Sequence, residues 1–217
     1  MKITTVILLL GFFVSAAKAD LIFKCLVETS SGQSFEETIK QTDTKMRIDA
    51  PQASIIESST TNIATLLIHA TKTYSNADGE TLRILLSLAG QLGGKLKPEN
   101  LIATGRTETI NGYPTREFKG VIAGIQIRSF VTESFPLEKK VREMSRKWQN
   151  SIAADAFQDL MVGMNAGFSS GLAIRIVYEI LGTTYSTTLE SLEEVRLDDN
   201  EFKVPNNYQE VPFPLGH

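Results

Sequence analysis

The chain has 217 residues, of which 42% are hydrophobic and 22% charged, an ordinary balance for a globular protein. Its 22 Lys and Arg against 25 Asp and Glu give a net charge of −3, which argues against nucleic acid as a partner because such binding needs a basic footprint. With one cysteine, Cys25, no internal disulfide framework is possible.

Lys2, the apolar run Val6 to Val14 and the small residues around Ala17-Lys18-Ala19 read as a cleaved secretory signal over residues 1–19. The run is too short for a transmembrane helix, which needs ~20 apolar residues, and no other stretch is long and apolar enough. Cleavage before Asp20 leaves 20 basic and 25 acidic side chains, a net charge of −5.

Leu21 to Glu28 then reads as a first strand. Cys25 reads as a half-buried strand cysteine packing as a small hydrophobe, with intermolecular pairing as the alternative, and Lys24 occupies the place where a lipoprotein signal wants a small residue. Short strands are expected at Phe35 to Gln41, Lys45 to Asp49, Ser54 to Ser58, Ile63 to His69 and Lys72 to Ser75, an antiparallel meander with turn residues between its strands. Thr81 to Leu92 carries Leu82, Leu85, Leu88 and Leu92 at helical spacing, with Asp78 as N-cap and Gly93-Gly94 as stop. Asn111-Gly112, between Ala103–Ile110 and Tyr113–Gly120, predicts a type I′ hairpin. Ile125 to Thr132 alternates, with Ile127 and Val131 on one face and Gln126 and Arg128 on the other.

Leu137 to Gly163 is the longest helical pattern, placing Val141, Met144, Trp148, Ile152, Phe157, Leu160, Met161 and Met164 on one side. Strands are expected again at Leu172 to Ile180 and at Thr184 to Leu192, the latter continued by Ser191 to Leu197, with a short edge at Phe202 to Pro205. The sum is a single α+β domain over residues 20–211 with a tail at 212–217: one curved antiparallel sheet covered by two main helices.

The chemistry-bearing residues are sparse. A serine–histidine–acid site needs an imidazole base, and the two histidines are His69, in an apolar strand, and the terminal His217. One cysteine and two distant histidines do not make a zinc site. The pairs Glu36-Glu37 and Glu193-Glu194 point to opposite faces of strands and make no dyad, and Asp198 to Glu201 reads as a turn rather than a calcium loop. Neither an enzyme nor a cofactor or metal site is expected.

Three segments carry a resemblance: Thr44 to Ser58 with Lys72 to Tyr74, Thr104 to Lys119, and Ser191 to Val211. Together they resemble a bacterial family of exported domains of unknown function related to the LolA/LolB-type lipoprotein carriers. The resemblance implies an incomplete barrel closed by helices over a hydrophobic cavity, and the Gram-negative periplasm as compartment. It places no functional residue. The expected partner is an apolar small molecule, lipid or lipoprotein acyl chain lined by Leu85, Leu88, Trp148, Ile152, Phe157, Leu160, Met161 and Met164; the alternative is an envelope protein docking on the same scaffold.

Overall fold

Asn111 and Gly112 sit at φ 50° and 81° in the computed structural model, the left-handed pair that a type I′ hairpin needs. They join β7 (Ile102–Ile110) to β8 (Tyr113–Ile122), and the Asn111 side-chain amide donates to the Leu189 carbonyl at 2.8 Å. The structure describes residues 19–61, 63–78, 81, 101–122, 125–148, 171–180 and 182–213, with backbone alone at 122, 125, 145–148 and 180.

The first six strands form one meander: β1 (Asp20–Thr29), β2 (Ser34–Gln41), β3 (Lys45–Asp49), β4 (Ala53–Ser58), β5 (Ile63–Ile68) and β6 (Thr73–Asp78). A second meander runs from β7 and β8 through β9 (Ile125–Thr132) and β10 (Leu172–Ile180) to β11 (Thr183–Val195). Pairing of β1 with β11 joins the two into one 12-stranded sheet, and β12 (Gln209–Glu210) adds to β6. The edges, β7 and β12, are not paired with each other, so the sheet is open. Register puts Phe23 opposite Ile39, Ile39 opposite Ile48 and Ile48 opposite Ile55, an apolar row along one face. The main core gathers Leu21, Phe23, Cys25, Ile39 and Met46 with Phe130, Leu172 and Leu189.

The expectation of two main helices over the sheet is corrected here. Among the described residues one α-helix is present, α1 (Glu138–Trp148), 11 residues long, with Val141 and Met144 buried in the main core. Lys140 pairs with Glu194 of β11 at 2.6 Å, and Glu138 accepts the Gly171 N–H at 2.9 Å, which fixes the helix at one end of the sheet. Gly171 must be glycine: its φ is 104°, and a Cβ there would lie 2.4 Å from Val131 Cγ1. Asp78 Oδ1 does accept the Thr81 N–H at 2.8 Å, the capping contact the sequence predicts; residues 82–92 and 149–163 lie outside the described residues.

Two other devices do the burying. The second meander is buried on both faces of β9, with Ile127, Ser129 and Val131 alternating with Phe130 and Thr132. On the first meander, the residues after β11 fold back over the face opposite the core. Phe202 is buried against Ile56 and Leu67, with Tyr74, Leu197, Val204 and Tyr208 around it. Asp199–Phe202 is a 3-10 turn whose cap, Asp198, accepts the Asn200 N–H at 2.8 Å, where the sequence reading expected an edge strand at Phe202 to Pro205. The chain then runs beside β6 in parallel, so the sheet is not wholly antiparallel.

Cys25 is buried in the core, deeper than the half-buried strand position expected for it. Burial, then the nearby carboxylates of Glu37 and Glu190, push its thiol up to about 12. The folded protein is therefore expected to resist iodoacetamide at pH 8 and to alkylate only after denaturation. Native-state labelling at the rate of a free thiol would contradict this placement.

Candidate functional site

Strand pairing in the second meander lines up one row of side chains across four strands. Ile102 of β7 faces Lys119 of β8, Lys119 faces Arg128 of β9, and Arg128 faces Val177 of β10. These four residues line a pocket of about 610 Å³, with Val121 and Gln126 beside them. That volume lies within the roughly 300–1,000 Å³ of small-molecule sites. Ile102 is 70% exposed, the most exposed of the large hydrophobic residues described.

The polar neighbours are equally defined. Arg128 Nη1 stands 3.7 Å from Glu117 Oε1, and Glu117 is only 3% exposed. Its other oxygen accepts the Thr104 hydroxyl at 2.8 Å. Glu179 and Tyr178 complete the β10 side, where Tyr178 stacks on Tyr185 with centroids 5.3 Å apart. Burial, more than any neighbouring charge, raises the Tyr178 phenol above its usual range.

A second constellation looks catalytic and is a tether. Ser54 Oγ donates to Asp49 Oδ1 at 2.5 Å and lies 3.0 Å from His69 Nε2, while His69 Nδ1 lies 2.6 Å from the Tyr208 hydroxyl. In a catalytic triad the acid orients the histidine and the histidine takes the serine proton. Here the acid takes it. His69 Nε2–H then donates to the Ser54 oxygen, and Nδ1 meets the Tyr208 hydroxyl. Ser54 is 1% exposed, beyond the reach of a substrate. The chain of contacts holds the returning C-terminal segment to β4.

Of the residues expected to line a ligand, Leu85, Leu88, Ile152, Phe157, Leu160, Met161 and Met164 lie outside the described residues, and Trp148 is described by its backbone alone. The pocket residues were not singled out from the sequence. The register of β8 on β9, with Ile122 opposite Ile125, is what sets Lys119 opposite Arg128.

Residues 26–208 match the model of a family described as Domain of unknown function (DUF4412). The chain belongs to the DUF4412 family. The resemblance carried by the three sequence segments holds at that level, a family of unknown function. No curated protein matches this DUF4412 chain. Its fold is similar to solved structures of PNGF-II, with a TM-score of 0.45 and 10% identity over 89% of this chain and 31% of that one. The DUF4412 chain thus spans less than a third of the PNGF-II length. It is also similar to a LolA superfamily protein, NE2245 from Nitrosomonas europaea, with a TM-score of 0.36 and 7% identity over 86% of this chain and 91% of that one. LprF from Mycobacterium bovis gives a TM-score of 0.34 and 12% identity over 89% and 92%. Likeness at these scores assigns no ligand to the DUF4412 chain. Among the described residues, no helix is long and apolar enough to cross a membrane.

Proposed function

We propose that this DUF4412 protein is a non-enzymatic periplasmic binding protein for an apolar small molecule or lipid, a single ligand-binding unit over residues 20–211. One observation carries the reading: a pocket of about 610 Å³ on the second meander, lined in part by exposed Ile102. Burying an isoleucine side chain contributes about 1.5–3 kcal/mol, and each alkyl CH₂ of a ligand ~0.8 kcal/mol. The amino-terminal pattern of Lys2, Val6 to Val14 and Ala17-Lys18-Ala19 supports export.

The test is titration of a dansyl-labelled undecanoic acid into the purified chain. Binding should saturate at one site, and Ile102→Asp should weaken it at least about ten-fold, the loss of one buried aliphatic contact. Equal affinity in the variant would remove the pocket as the site. A second reading has its own support: β7 is an open sheet edge whose residues 102–107 are exposed, a surface to which an extended segment of an envelope protein can add as a strand.

A further inference from the structure

The chain is acidic, yet its pocket is not. Lys119, Arg128 and Glu179 are the charged side chains lining it, two cations and one anion, where the whole chain carries −3. The two cations are direct cross-strand partners. Like charges placed opposite each other destabilise a sheet, so a fold gains nothing from this pair by itself. Neither cation is fully answered from within. Arg128 meets Glu117 at 3.7 Å, beyond hydrogen-bond range, and Glu117 already accepts the Thr104 hydroxyl. Among the described residues no carboxylate pairs with Lys119, and Glu179 pairs with neither cation. Apolar residues flank the pair along the same row, Ile102 on one side and Val177 on the other.

A row reading apolar, cation, cation, apolar matches a ligand with an oxyanion head and an alkyl body. We infer that the pocket takes an anionic amphiphile, its carboxylate or phosphate set between Lys119 and Arg128 and its chain against Ile102 and Val177. This inference rests on the proposed function and names the class of ligand for the same site. Arg128 offers a planar fork to such a head and Lys119 a point charge, and both gain strength from an ionised acceptor.

A matched set of twelve-carbon ligands tests it: dodecanoate, dodecyl phosphate and dodecanol, each kept below its micelle concentration and titrated into the purified full chain by calorimetry. At least one of the two anions is expected to bind about ten-fold more tightly than dodecanol, the contribution of one charge-assisted hydrogen bond. The preference should shrink as salt rises. In Lys119→Gln/Arg128→Gln it should vanish, the anions losing at least about ten-fold relative to dodecanol. Melting of the variant checks the fold: relief of the Lys119–Arg128 repulsion and loss of the Arg128 contact with buried Glu117 act in opposite directions, so a retained cooperative transition, not its midpoint, is the criterion. Tighter binding of dodecanoate identifies a free fatty acid as the source, and tighter binding of dodecyl phosphate a phospholipid head. If dodecanol binds as well as both anions, or the double variant keeps the preference, the inference fails and the apolar pocket stands. If none of the three binds the native protein, the proposed function fails with it.

Discussion

Replacing Phe202 by alanine is expected to destabilise the protein by about 3–5 kcal/mol, the range for removing a buried aromatic side chain. Phe202 is 8% exposed and is the buried residue that the returning C-terminal segment places against Ile56 and Leu67. The same segment is also held by ion pairs. Lys40 meets Glu201 at 2.7 Å, and Arg47 donates to the Glu201 carbonyl at 3.0 Å. Lys45 hydrogen-bonds Asp199 and so holds that carboxyl below its usual range. These contacts are half-exposed or exposed, and solvent screening leaves such pairs far weaker than an aromatic core contact. Burial therefore decides the docking. Urea unfolding of Phe202→Ala should show the full loss, and Lys45→Ala a small fraction of it. Hydrogen exchange over residues 197–211 should rise in the first variant and not in the second. Equal effects would mean that charge, not packing, fastens the segment.

Glu57→Gln is expected to stabilise the protein by an amount that grows from pH 4.5 to pH 7 and is constant above. Glu57 points to the core face of β4, between Met46 and Ala64 on the adjacent strands. It is 1% exposed, and its Oε1 has no hydrogen-bond partner. Burial pushes its carboxyl up to about 7 from an ordinary 4.5. Between those values the folded protein keeps a proton that the unfolded chain has released, so stability falls as pH rises through the window. Above pH 7 the cost is complete, on the order of 3 kcal/mol. Below pH 4.5 both states are neutral at this site and the cost is absent. Glutamine keeps the shape without the charge. The variant should match the native protein at pH 4 and exceed it by up to about 3 kcal/mol at pH 8. A stability difference that ignores pH would place the ionised carboxylate in a solvated site instead.

Both effects come from places that the sequence described poorly. Local signals were legible. Asn111-Gly112 gave its hairpin because only residues that tolerate positive φ at both central positions close a two-residue turn with the right twist. Asp78 meets Thr81 as a cap because that contact spans three residues. Alternation located the strands of the first meander to within a few residues. Longer-range facts were not legible. Thr184 to Leu192, continued by Ser191 to Leu197, reads as one run of strand and forms one of 13 residues, but the register shift where Lys24 and Cys25 of β1 face it has no local trace. Nothing local shows that Phe202 returns across 146 positions to Ile56, so the segment read as an edge rather than a cover. A sheet covered by two helices was expected because helical spacing reveals a greasy side, while the burial supplied by sheet curvature and by a returning segment leaves no periodic trace.

The pocket was hidden for a related reason. Counting back from the Asn-Gly turn, an unbroken hairpin would set Ile102 opposite Val121. The irregularity between Ala103 and Thr107 sets it opposite Lys119 instead. Gln126 and Arg128 read only as the wet face of a strand, because alternation says which residues share a side and not what a neighbouring strand sets beside them. The cation pair became visible once β8 was seen to run on to Ile122 rather than to end at Gly120.

Photo-crosslinking reaches the binding site most directly. A diazirine-bearing fatty acid is bound to the purified chain, irradiated, and mapped by peptide mass spectrometry. If the second meander holds the ligand, label concentrates on the peptides containing Ile102, Lys119 and Val177 and is displaced by excess unlabelled fatty acid. Label that falls on β1 to β6, or that spreads over the surface without displacement, would contradict a binding pocket on β7 to β10.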